Sequence, residues 1–151
     1  MGLFDAIDIS ASGLTAERLR MDVTAENLAN AQTTRGADGG AYRRKAVVLQ
    51  QSGGGGGGFA GALAGAVQRG GGGGGTAGVE VAAIVPDTTP LRRVHDPGHP
   101  DADAQGYVEL PNVNPVTEMV DLIGASRTYE ANVTAMQAAK QLFSKTLELL
   151  R

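Results

Sequence analysis

The 151-residue chain has no cysteine and no tryptophan, and only three phenylalanines and three tyrosines. Without cysteine there is no disulfide scaffold, no thiol nucleophile and no thiolate-held metal or cluster. So few aromatic rings leave a thin supply of large core side chains. Excess positive charge is missing as well: the formal net charge of −3 argues against nucleic acid as a main partner. The first basic residue is Arg18, so the start of the chain lacks the positive region of a secretion signal, and no long apolar run follows it. Residues 46–68 are uncharged but hold eight glycines together with Gln50, Gln51, Ser52 and Gln68, which disfavours a membrane-spanning helix. The expectation is a soluble protein without a cleaved signal.

Glycine is abundant, but unevenly placed. Twelve of the 23 glycines form two runs, Gly53 to Gly58 and Gly70 to Gly75, and the remainder are an ordinary share. The excess marks a linker-like middle.

The two ends carry helical periodicity. Steps of three and four from Phe4 pass through Ile7, Ala11, Leu14, Arg18, Met21, Ala25 and Leu28. The same steps from Met119 pass through Leu122, Ser126, Tyr129, Val133, Met136, Lys140, Phe143, Leu147 and Leu150. A 3-4 repeat sustained over several heptads is the pattern of a coiled-coil seam. At ~1.5 Å per residue the helices would reach roughly 40 and 50 Å, too long for a compact domain of this size, so each seam needs a partner. Asn114 is suited to cap the second helix, with Pro115 in its first turn and Glu118 and Asp121 near its positive end. The first helix is expected to stop around Gln32 to Gly36. Gly13 and Gly124 interrupt the helical pattern, either as a tolerated cost or as points of close helix approach. Arg18 and Lys140 interrupt the seams, either by snorkelling or by setting register through a charge pair. Asn27 and Asn30, near the first helix's end, read as fraying or capping positions.

Between the helices the period changes. Tyr42 to Leu49 and Val79 to Val85 are rich in β-branched residues, and Leu91 to Val94 and Tyr107 to Leu110 are shorter candidate strands. Phe59 to Arg69 is a candidate short helix. The expected fold is mainly α, with long N- and C-terminal helices pairing as a coiled coil around a small β insert and a flexible Gly-rich loop. The segments are 1–34 (N-terminal helix), 35–113 (β insert, with the flexible stretch at 51–78) and 114–151 (C-terminal helix).

No catalytic constellation emerges, and no cofactor is expected. His95, Asp96, His99, Asp101 and Asp103 offer metal-ligand chemistry, but two prolines and a glycine lie among them and no helical register fixes them, so a solvated turn is the better reading. The glycine runs do not lead from a hydrophobic strand into a phosphate-binding helix. The serines lie in no triad pattern. Arg35, Arg43, Arg44 and Lys45 form a modest basic patch that reads as a solvated strand edge. A second possibility is that it meets the acidic turn Asp96, Asp101 and Asp103 of a neighbouring copy.

The stretch from Ser12 to Thr34 resembles the N-terminal signature of bacterial flagellar rod and hook proteins. Gly40 to Lys45, Val94 to Asp101, Gly106 to Asn114 and Glu118 to Asn132 are similar to the proximal-rod members of that family. The motif positions are Asn27, Asn30, Tyr42, Arg43, Arg44, Asp96, Pro97, Pro111, Asn112, Glu118, Arg127, Tyr129, Glu130 and Asn132. His95 stands where the family usually has tyrosine, and the glycine tracts exceed its usual loop. The resemblance implies a structural subunit whose terminal helices polymerise into the axial tube of the basal-body rod, outside the cytoplasmic membrane, transmitting torque to the hook. It implies other rod subunits, further copies of the chain, rod-to-membrane-ring junction proteins and the flagellar type III export apparatus as partners, with no nucleic acid and no small-molecule substrate. Two other classes fit the residues less well: a cytosolic export chaperone or adaptor using the same helices, and a metal-dependent enzyme built on His95 and His99.

Overall fold

The computed structural model describes residues 3–36, 39–52 and 78–149. Two long helices, α1 (Leu3–Ala29) and α2 (Pro115–Leu149), stand at the two ends of the chain. Between them β1 (Lys45–Gln51) pairs with β2 (Val79–Pro86), and β3 (Arg92–His95) pairs with β4 (Tyr107–Leu110), giving two small sheets. The mainly helical architecture with a small β insert agrees with the expectation. The glycine tracts, the candidate helix at Phe59 to Arg69, and the side chains of Phe4 and Leu150 lie outside the described residues.

Local chemistry explains where the elements begin and end. Asn114 caps α2: its Oδ1 accepts the Val116 N–H at 3.1 Å and its carbonyl accepts the Glu118 N–H at 3.0 Å. Helix α1 ends at Ala29, before the expected Gln32 to Gly36. There Asn30 Nδ2 donates back to the Glu26 carbonyl at 2.9 Å and Asn30 Oδ1 accepts the Thr33 hydroxyl at 3.1 Å. A short polar side chain competing for backbone groups favours the turn. Strand β1 starts at Lys45 rather than Tyr42, because the Tyr42 N–H is taken by the Thr33 carbonyl at 3.1 Å. Its start bonds the end of β2 (Asp87 N–H to Arg44 C=O, 2.7 Å) and its end bonds the start (Ser52 N–H to Gly78 C=O, 2.8 Å), so the strands run in opposite directions.

Strands β3 and β4 are antiparallel, with Arg93 opposite Glu109 and His95 opposite Tyr107. The hairpin turns back at Gly106, whose φ of +79° suits glycine. A Cβ there would also stand 3.1 Å from His95 Nε2.

Contacts divide the chain into two compact units, each drawing on both ends and the middle: the described residues of 1–17, 49–82 and 128–151, and those of 18–48 and 83–127. In the first, small residues allow close approach. A Cβ on Gly13 would lie 3.1 Å from Asn132 Nδ2, and one on Gly78 would strike Ser12 Oγ, which accepts the Val79 N–H at 3.0 Å. Ala16 and Ala139 are buried there. In the second unit the buried side chains are Val23, Val108, Pro111, Val113 and Ala125, accompanied by polar Thr24, Asn27 and Glu118. By contrast a Cβ on Gly124 would meet nothing within 4 Å.

Burial along the helices follows rows of its own. On α2, Glu118, Ala125 and Ala139 are buried and Leu122, Tyr129, Asn132 and Met136 half-buried, at alternating steps of four and three. This row shares Leu122, Tyr129 and Met136 with the sequence-derived seam; Val133 is half-buried, and Met119, Lys140, Phe143 and Leu147 are exposed. On α1, Ala16, Glu17, Val23, Thr24 and Asn27 are buried, with Ile7, Leu14, Met21 and Leu28 half-buried. At Gly13 helix α1 comes close to Asn132 of α2, while the larger apolar residues of both helices are half-buried or exposed. Among the described residues no helix is long and apolar enough to cross a membrane.

Candidate functional site

The densest arrangement of motif residues is a buried polar cluster where the end of α1, the start of β1 and the first turns of α2 meet. Asn27 and Glu118 are each 1% exposed. The Asn27 carboxamide is fully used. Its Oδ1 accepts the Tyr42 hydroxyl at 2.9 Å and the Lys45 N–H at 2.9 Å, while Nδ2 donates to the Lys45 carbonyl at 2.8 Å and to Glu118 Oε2 at 3.0 Å. The other carboxylate oxygen, Oε1, accepts Arg44 Nε at 2.6 Å. Both oxygens of this buried acid therefore have donors, which a carboxylate out of water requires.

A second amide supports the first. Asn112 Oδ1 accepts the Arg44 N–H at 2.8 Å, and its Nδ2 donates to Thr89 Oγ1 at 2.8 Å. Two asparagine side chains thus hold residues 44 and 45 from either side, and Pro111, next to Asn112, is buried. The electrostatics follow the geometry. The hydrogen bond that Arg44 donates to Glu118 raises the Arg44 pKa above its usual value, against the opposing effect of burial. Burial, reinforced by the Glu26 carboxylate, pushes the Tyr42 hydroxyl up. Lys45 Nζ pairs with Glu26 and sits 5.7 Å over the Tyr42 ring.

This cluster gathers Asn27, Tyr42, Arg44, Asn112 and Glu118. Other motif residues go elsewhere: Asn30 ends α1, Asn132 faces Gly13, Tyr129 is half-buried, and Arg43, Arg127 and Glu130 are exposed. Asp96 Oδ1 accepts the Gly98 N–H at 3.2 Å within the turn that contains Pro97. Two expectations need correction. Asn27 is not a fraying or capping position; its carboxamide is the centre of the cluster. Arg44 is not at a solvated edge, because it is tied to Glu118.

Most charges of the basic and acidic patches have partners within the chain. Asp101 takes Arg35 at 2.8 Å and the Thr34 hydroxyl at 2.8 Å, and Asp103 takes Arg93 at 2.9 Å. Backbone N–H bonds, chiefly from Tyr107, hold Asp103 below the usual carboxylate range. His99 Nδ1 accepts the Asp101 N–H at 3.1 Å. These groups build a turn. Sequence reasoning also passed over Val116, Val120 and Ile123, which lie exposed on α2; the signal available was their spacing opposite Glu118.

Comparison with known proteins gives a consistent result. The family described as "Flagella basal body rod protein" matches residues 7–37, and "Flagellar basal body rod FlgEFG protein C-terminal" matches residues 104–149. The chain is 44% identical to the flagellar basal-body rod protein FlgC of Borreliella burgdorferi, over 100% of this chain and 99% of the relative. It is 46% identical to that of Bacillus subtilis, over 99% of both chains. Against that of Escherichia coli O6:H1 it is 41% identical, over 99% of this chain and 98% of the relative.

Proposed function

We propose that this chain, which belongs to the FlgC family of flagellar basal-body rod proteins, assembles with further copies of itself and other rod subunits through coiled-coil pairing of its terminal helices. The chain is a structural rod subunit of the flagellar basal body and not an enzyme. Segments 1–34 and 114–151 supply the helices of the axial tube, and 35–113 forms the insert. The subunit reaches the rod, outside the cytoplasmic membrane, through the flagellar type III export apparatus and adjoins rod-to-membrane-ring junction proteins.

One observation supports this most. A single copy buries alanines and valines, while Met119, Phe143 and Leu147 are left exposed on α2. Helices with unspent apolar surface gain by packing on neighbours, and heterologous contacts extend into a helical tube. The test is mass spectrometry of purified basal bodies, together with a deletion strain. The chain should be found in the rod, and its deletion should remove rods and swimming. Complete rods in the deletion strain would overturn the proposal.

A further inference from the structure

The chain's two histidines both stand at the β3–β4 connection, His95 at the end of β3 and His99 inside the turn. Their rings make different contacts. His95 meets the Tyr107 ring edge-on at 5.0 Å, a contact that needs no free nitrogen lone pair. His99 Nδ1 instead accepts the Asp101 N–H at 3.1 Å. A ring nitrogen accepts only while it is unprotonated, and in the imidazolium both nitrogens are donors. This hydrogen bond therefore belongs to one protonation state of one side chain.

The residue held by that bond reaches beyond the turn. Asp101 accepts the Thr34 hydroxyl at 2.8 Å and pairs with Arg35 at 2.8 Å, which ties the turn to the segment between α1 and β1. Thr34, Arg35, Pro100 and Asp101 share the lining of an open cavity of about 370 Å³. The Arg35 side chain is 72% exposed, and ion pairs so exposed contribute little. The charges around the turn are Asp96 and Asp101 within it, Arg35 after α1, and Asp103, its partner Arg93 and Glu109 along the cavity and hairpin. Carboxylates outnumber cations here, so an imidazolium at position 99 has an acid to turn to.

We propose that His99 is a proton-operated switch on this tie. Neutral, it holds Asp101 in place against Thr34 and Arg35. Protonated, it gives up the Asp101 N–H and draws the Asp101 carboxylate to itself, because a charge-assisted bond is stronger than the neutral one it replaces. The weak, exposed Arg35 pair yields, the segment after α1 is released and the cavity changes shape. Acid thereby alters the connection between a terminal helix and the β insert without touching the Asn27–Glu118 cluster.

Nuclear magnetic resonance of the full-length, unassembled chain tests this, followed from about pH 8 to about pH 5.5, where imidazoles titrate and ordinary carboxylates, at about 4, do not. As the His99 ring takes up its proton, the Asp101 amide should lose protection from solvent exchange several-fold. The Thr34 and Arg35 amides should shift with the same midpoint. His99→Asn places an amide oxygen where Nδ1 was; it accepts from the same N–H and does not titrate, so all three amides should keep their positions over this range. His95→Phe, which keeps an edge-on ring against Tyr107, should retain the parent's response. An Asp101 amide that stays unchanged while the His99 ring titrates would overturn the switch, as would a full response in His99→Asn or its loss in His95→Phe. Movement of Asp101 without Thr34 and Arg35 would overturn the release of the segment after α1.

Discussion

The Asn27 carboxamide bonds both the N–H and the carbonyl of Lys45, at 2.9 and 2.8 Å, occupying the place a neighbouring strand's peptide group would take. A helix side chain thereby stands in for a strand at the start of β1. The same amide holds the buried Glu118 carboxylate, so one residue joins α1, β1 and α2.

Truncating this amide should be costly. Asn27→Ala strands the Lys45 peptide groups and one Glu118 oxygen, each worth about 1–3 kcal/mol when buried and unmade. A loss of about 3 kcal/mol or more in urea unfolding is expected, with the denaturant slope unchanged. Asn27→Asp should be worse, because its carboxylate would face both Glu118 and the Lys45 carbonyl.

The Arg44–Glu118 pair should behave as a buried ion pair. Arg44→Leu or Glu118→Leu alone should cost about 3–5 kcal/mol, since each leaves one charge uncompensated. The double leucine variant should recover most of that loss. A double variant as unstable as the sum of the singles would show that the two groups do not interact.

Alkaline pH should weaken the cluster through Tyr42. Its folded pKa lies above the ordinary 10.0, so its contribution is fully present below that value and is lost as pH rises through the folded pKa. Ultraviolet titration should show a late tyrosinate component that Tyr42→Phe removes. Stability of the parent should fall with pH above 10 more steeply than that of Tyr42→Phe.

The two helix glycines should respond oppositely to alanine. Gly124→Ala meets open space and should stabilise the chain by about 0.5–1 kcal/mol through helix propensity. At Gly13 the new methyl lies 3.1 Å from Asn132 Nδ2, so the same gain is cancelled or reversed. Thermal unfolding of both variants, side by side, measures the difference.

Met136 lies half-buried on the low-exposure row of α2. Met136→Asp should abolish swimming by placing an unpaired carboxylate in a helix contact, at a cost of several kcal/mol. Motility and rod yield are compared at matched expression and export, and normal swimming would refute the assignment.

Much of the architecture was legible because it is local chemistry. Asn114 followed by Pro115 marked the start of α2; β-branched runs marked β1 and β2, and two shorter candidates either side of the turn at Asp96 to Asp101 marked β3 and β4, each to within a few residues. The cluster was harder to read. Asn27 and Glu118 are 91 positions apart, and no periodicity links an amide to a carboxylate at that distance. An asparagine near a helix end suggested fraying or capping, whereas Asn27 is buried because its partners arrive from elsewhere in the chain. Close approach at Gly13 was equally hard to read, because the side chain it meets, Asn132, lies more than a hundred positions away.

The separation of 91 positions also governs timing. Bringing such distant points together costs about 4 kcal/mol of chain entropy by the logarithmic loop relation, and closure of this kind slows folding well below helix formation. The segment around Glu118 is translated long after α1, so a growing chain holds Asn27 without its acid. Throughout that interval α1 cannot complete its contacts and is open to whatever machinery handles the chain first. Maturation of this subunit is therefore set by the arrival of its last quarter.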